Sequence, residues 1–304
     1  MAAMLSRDRF QAARAFVEAG PRPLDAALLR HGLGEADTEA VMVALIAFQN
    51  PDGGFGHGLE ADMRSPASTA IATSIGLRLL ARVAAPARHP TVIGAIDWLA
   101  GALDREAGVW PIVGPDVAQA PHAPWWTWSE GLSENWNGFR FNPTAEILAH
   151  LYHYRDAVAP DLLGAVEAGL RFTLAETELI ENAYDLKCAI RLGEAGGAPA
   201  DLVEPLDALV RRSIATHDPG DEHASPFDAA ATPTSRFANA VAAAVPPALD
   251  AVIETQADDG GWSPGWNWSF VDKAAWKAAE RDWRSWITRE ALEVLLAWGR
   301  VEGR

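Results

Sequence analysis

The chain has 304 residues, a formal net charge of −16 and one cysteine, Cys188. A single thiol excludes an intrachain disulfide and any site built from several thiolates. The acidic balance excludes a face built for nucleic acid or anionic lipid, both of which attract basic surfaces.

Hydrophobic residues make up 49% and charged residues 22%, enough for a sizeable core in a soluble domain. Met1 to Phe10 carries no apolar leader, and no run is long and apolar enough to span a membrane, so a cytoplasmic location is expected. Tryptophan is the oddity: there are 13, against 3 tyrosines, and 10 of them fall within 125–136 and 262–286.

In chain order, Asp8 to Glu18 reads as a helix that Pro21-Arg22-Pro23 stops, and a short piece follows from Leu24 to Leu29. Thr38 to Gln49 is helical, with Val41, Leu45 and Phe48 on one face. Ser68 caps Thr69 to Val83, which is apolar or small nearly all round, the mark of a buried helix. Thr91 to Leu103 is amphipathic. An irregular stretch from 104 to 142 holds five tryptophans. Helices are then predicted from Pro143 to Tyr154, from Pro160 to Leu174, from Asn182 to Glu194 and from Leu202 to Thr216. A small-residue helix from Ser235 to Val245, another from Ala248 to Ala257 and a last one over about 283–299 complete the chain. No strand of any strength is predicted.

Two helix types therefore alternate, one amphipathic and one buried on nearly all sides. An outer ring around an inner ring satisfies that alternation, because each hairpin can bury its apolar face only against its neighbours. The expected fold is all-α, an α/α toroid of about six hairpins in one domain spanning 1–304, with one outer helix short or missing.

The links leading into the predicted inner helices are the long ones: 50–67, 104–142, 217–232 and 258–282. Long loops inside a compact domain are usually functional, and in this arrangement all of them emerge on one rim. Inner-helix N-termini point to that rim and favour an anion there. Arg64, Arg140, Arg236 and Arg284 lie near those helix starts. The expected partner is a small apolar molecule carrying a phosphate or carboxylate, walled by Trp125, Trp126, Trp128, Trp136, Trp266 and Trp268.

One string occurs twice: Gln49-Asn-Pro-Asp52-Gly53-Gly54-Phe55 and Gln256-Ala-Asp-Asp259-Gly260-Gly261-Trp262. Val109-Trp110 stands where an intermediate copy is expected. This Gln-x-x-Asp-Gly-Gly-aromatic repeat resembles the motif shared by triterpene cyclases and the β subunits of protein prenyltransferases. The resemblance implies an α/α toroid with an aromatic-lined isoprenoid cavity, and a structural role for the motif itself.

The departures from that family are specific. Its alkene-protonating DxDD acid is absent, and the acidic pair on the rim is Glu60-Ala-Asp62. Those two carboxyls could share a proton, with Asp62 or Glu60 as the acid. Its zinc site needs an Asp-x-Cys spacing, whereas Asp185 and Cys188 are three apart, so no metal and no cofactor is expected. His57, between Gly56 and Gly58, is a candidate acid, base or loop brace.

Three functions remain open on sequence. The first is a cyclase-like isoprenoid enzyme, with cations steadied on indole faces. The second is a carbohydrate-active enzyme using paired carboxylates, Glu60/Asp62 or Glu130/Glu134. The third is a toroid that binds without catalysing.

Overall fold

The computed structural model describes residues 2–129, 139–218, 221 and 223–304. Among them the chain is helical, with no strand but four isolated bridges. We number the α-helices α1 (Arg7–Glu18), α2 (Pro23–Gly32), α3 (Thr38–Leu45), α4 (Ala70–Arg82), α5 (Pro90–Ala102), α6 (Glu146–His153), α7 (Pro160–Glu176), α8 (Ala183–Glu194), α9 (Ala200–Thr216), α10 (Pro226–Ala229), α11 (Val245–Glu254) and α12 (Lys273–Ala297).

Local chemistry sets most of the boundaries. Ser6, Asp37, Thr69, Asn182 and Asp272 accept backbone N–H groups at the starts of α1, α3, α4, α8 and α12. Proline occupies the first turn of α2, α5, α7 and α11, where its missing N–H costs nothing. Helix α4 packs on α5 and α6, α6 on α7 and α8, α8 on α9, and α12 on both α1 and α2.

The two repeat copies fold alike, atom for atom. Gln49 Nε2 donates to Gly53 O and to Thr91 O of α5, each at 2.9 Å. Gln256 Nε2 donates to Gly260 O at 2.8 Å and to Arg9 O of α1 at 3.1 Å. Phe55 N–H donates to Thr73 Oγ1 of α4 at 3.0 Å, and Trp262 N–H to Thr288 Oγ1 of α12 at 2.9 Å. Each turn thus ties the end of one helix to two others: the first joins α3 to α5 and α4, the second α11 to α1 and α12.

The central glycines explain why the motif tolerates nothing larger. Gly53 has φ +93° and Gly260 has φ +90°, both left-handed. A Cβ on Gly53 would stand 2.3 Å from Gly94 O of α5, and one on Gly260 would stand 2.6 Å from Ala12 C of α1.

Trp110 completes a third, degenerate clasp. It is fully buried and donates Nε1–H to Leu99 O at 2.7 Å, as Trp262 does to Val252 O at 2.8 Å. A Cβ on Gly108 would come 3.0 Å from Ala165 O of α7. The clasps therefore run from α3 to α5, from α5 to α7, and from α11 back to α1.

Two sequence expectations need correction. Ser235 to Val245 is not a helix: it forms turns around one 3-10 turn at Ala238–Val241. Its alanines are mostly exposed, and a methyl side chain offers too little burial to hold a helix against a wall. The last helix starts ten residues earlier than expected, at Lys273 rather than about 283, because Asp272 caps it.

Candidate active site

Glu60 and Asp62 lie on the link between α3 and α4, and both are buried, at 6% and 2% exposure. The link is tightly turned. Gly56 N–H donates to Phe48 O, Met63 N–H to Glu60 O, and Ala123 N–H to Asp62 O. The backbone that carries the two carboxyls is thus pinned in place.

Asp62 sits in a cage of indoles. Trp268 Nε1–H donates to its Oδ1 at 2.6 Å, and Trp266 Nε1–H to its Oδ2 at 2.9 Å. Trp283 faces the same carboxylate and favours its charge, although its N–H lies outside hydrogen-bond geometry. Burial raises the Asp62 pKa above its ordinary value, and the indoles and then the Arg64 charge oppose this without reversing it.

The tryptophans brace one another at steep angles. Trp266 meets Trp283 at 82° and 5.1 Å, Trp268 meets Trp276 at 68° and 5.7 Å, and Trp283 meets Trp286 at 59° and 5.8 Å.

Glu60 is in a different state. Burial pushes its pKa up to about 8, and the neighbouring Asp62 charge adds to the effect. The Asp62 backbone N–H, the Trp126 indole and the Arg22 charge oppose this without cancelling it. A pKa near 8 puts Glu60 on the protonated side at neutral pH, beside an Asp62 carboxyl caged by indoles. Its Oε2 is buried and has no hydrogen-bond partner. Two carboxyls this close divide their roles by environment.

The other expected residues are placed as follows. Arg64 does not pair with Asp62; its Nη1 donates to Asp282 Oδ2 at 2.5 Å. His57 is exposed, with φ +54°, and its Nε2 lies 2.8 Å from Asn50 Oδ1, so it braces the turn. Trp126 and Trp128 pack against the small cluster of Met63, Ile112, Val113 and Val117, and Trp126 also against Trp268 and Trp276. Trp125 is exposed at 48%.

Arg140 lies just before the π-turn at Phe141–Ala145, and its charge acts on Asp185. Arg236 and Arg284 do not stand ready for an anion, since they pair with Asp207 and Asp259 at 2.7 Å each. Trp136, Glu130 and Glu134 lie outside the described residues. Cys188 is buried with its Sγ 3.7 Å from Glu146 Oε2, whereas Asp185 accepts the Asn142 N–H, so the two do not converge.

Sequence reasoning missed several contributors. Trp276, Trp283 and Trp286 recur at spacings of seven and three, a helical stripe hidden because the helix was expected to begin near 283. Arg22 looked like a loop residue between two prolines. It is buried, pairs with Asp25 at 3.3 Å, donates to Leu59 O, and lies 5.4 Å over both Phe48 and Trp286. Two clefts, of about 410 and 280 Å³, lie along α8, α9 and the 224–244 segment, away from the carboxyl pair.

The chain matches no family model, and no curated protein matches it in sequence. Among the described residues no helix is long and apolar enough to cross a membrane.

Proposed function

We propose that the chain is an α/α toroid enzyme of the isoprenoid-handling, class II cyclase-like kind, in which Glu60 gives a proton to an alkene. The observation that carries this reading is a buried Glu60 carboxyl with one oxygen unpartnered and a pKa pushed up to about 8 by burial, beside an Asp62 carboxyl caged by tryptophans. The toroid is supported by the clasps, whose last copy returns to α1.

In this reading Glu60 loses its proton to an alkene carbon, and a carbocation forms on the substrate. Indole faces steady that cation. Asp62 stays ionised and adds a fixed negative charge nearby. Loss of a proton from a carbon next to the cation, returned to Glu60, closes the cycle as an isomerisation. No oxidant or cofactor is required.

The test is turnover of a panel of prenyl diphosphates, followed by product analysis. Wild-type protein is expected to convert at least one of them. E60Q should lower that rate by about 10²–10⁴-fold, the range for losing a general acid, while keeping the wild-type helical spectrum. D62N should also slow it, because the neutral amide removes the fixed charge. No turnover on the panel, or an E60Q protein as active as wild type, overturns the reading.

One observation favours a second reading, a toroid that binds without catalysing. The rim tryptophans spend two of their N–H groups on Asp62 and their faces and edges on each other. That steep packing also counts against a glycan-stacking platform. Ligand binding with no conversion by the wild type would support this second reading.

A further inference from the structure

Helices α4, α8 and α12 carry charged and aromatic side chains that meet at Glu146 of α6 and at Trp286. On α8 these are Tyr184, Lys187 and Arg191, on α4 Arg78 and Arg82, and on α12 Trp286, Glu290 and Glu293. Two contacts tie α4 to α12. Arg82 pairs with Glu293 at 2.7 Å, and Arg78 lies 5.7 Å over the Trp286 ring. Tyr184 feels the charges of Asp221, Asp62, Glu60 and Asp228, which places it in the same electrostatic space as the acid site.

Arg78 and Arg191 meet on Glu146. Arg78 Nη1 donates to its Oε1 at 2.9 Å, and Arg191 Nη1 to its Oε2 at 2.6 Å. Glu146 is fully enclosed. Burial works against its charge, but the two guanidiniums and His150 hold its pKa well below the usual carboxylate value. His150, 3.5 Å away, is pushed toward the neutral form by burial. Two guanidiniums therefore face one carboxylate, a local excess of positive charge.

Neither arginine is used up by that contact. Each retains further N–H donors, and each keeps side-chain surface open to solvent, 25% for Arg78 and 35% for Arg191. Yet both are deep. Desolvation and then the Arg191 charge lower the Arg78 pKa, so the two cations are felt by each other inside the protein. Each lies eight residues past the first residue of its helix, Ala70 or Ala183. At the helical rise that is about 12 Å below the helix starts.

The charges of Glu290 and Asp228 also reach Arg78 and Arg191, although each of these acids has a nearer cation. Glu290 is half exposed and lies 3.5 Å from Arg289, and Asp228 lies 3.4 Å from Lys187.

We propose that Arg78 and Arg191 form an anion site for a phosphate-bearing ligand, presented on Glu146 where α4, α6 and α8 meet. Two planar forks with spare donors suit an acceptor with three or more oxygens. Glu146 brings the two forks together, but its charge competes with an incoming anion. The site deepens the function proposed above by setting the substrate's direction: charged head on the arginines, apolar body toward the tryptophans and Glu60.

The test is isothermal titration calorimetry with inorganic diphosphate at constant ionic strength, with sulfate as a control. Wild-type protein should bind one diphosphate saturably and more tightly than sulfate. R78Q and R191Q should each weaken binding at least ~10-fold, since charge-assisted bonds are lost. E146Q should bind about tenfold more tightly, because the competing carboxylate is gone. A purely structural ion cluster predicts no such gain. E60Q should bind diphosphate like wild type, so loss of turnover in E60Q with binding retained separates this site from the acid assignment. Absence of saturable wild-type binding overturns the proposal, as does a folded E146Q that binds no more tightly than wild type.

Discussion

At the scale of single residues, environment decides what two chemically similar carboxyls do. Asp62 accepts two indole N–H groups, while Glu60 has an oxygen with no partner and a pKa pushed up to about 8. The stability consequence has a definite sign. An unfolded glutamate ionises near 4.5, whereas the folded one keeps its proton to about 8. Between those values the folded state binds more protons, so stability falls as pH rises, by at most about 1.4 kcal/mol per unit. Urea unfolding of wild type and E60Q across this window should show that fall reduced in E60Q. Trp268→Phe should cost about 1–3 kcal/mol by removing a buried donor from a carboxylate, read as a lower urea midpoint with unchanged slope. The pair was legible in the sequence as neighbours two apart on a long loop. Which of them keeps the proton was not, because that depends on Trp126, Trp266, Trp268, Trp283 and Arg22, which come from other parts of the chain.

At the scale of elements, the repeated turn is a fastener between helices. Gly53→Ala and Gly260→Ala force both a left-handed alanine and a Cβ within 2.3 and 2.6 Å of a neighbouring helix backbone. Each should lower stability by at least about 2 kcal/mol, measured by thermal unfolding. Near-equal losses are expected, since the two copies make the same bonds. The helix pattern was readable because proline, cap residues and apolar spacing are local signals. The Ser235 to Val245 stretch was misread because small side chains look buried in a periodicity count yet contribute little when buried. The early start of α12 was missed, although Asp272 followed by Lys-Ala-Ala carries the cap signal.

At the scale of the whole molecule, an acidic protein places arginine inside. Arg289 is fully buried on α12 and ties it to Asp25 of α2 at 3.2 Å and to Glu293 at 2.8 Å, with its guanidinium 5.2 Å over Trp286. Arg289→Met would leave Asp25 to Arg22 alone and should cost about 1–3 kcal/mol, seen as a lower denaturant midpoint. The net charge of −16 read as a statement about solubility and partners, and it concealed this interior. The arginines expected to meet an anion, Arg64, Arg236 and Arg284, each pair with an aspartate of their own, whereas Arg78 and Arg191 share the single carboxylate of Glu146. Ion pairing of this kind couples residues far apart in the chain, which is why spacing alone did not reveal it.

The central claim is that Glu60 is a carboxylic acid, not a carboxylate, at neutral pH. Infrared difference spectroscopy of wild type minus E60Q, recorded as pH is raised, reads that state directly. The account predicts a protonated-carboxyl band at neutral pH that disappears with a midpoint near 8. A difference spectrum showing only ionised carboxylate from about pH 6 upward would contradict it.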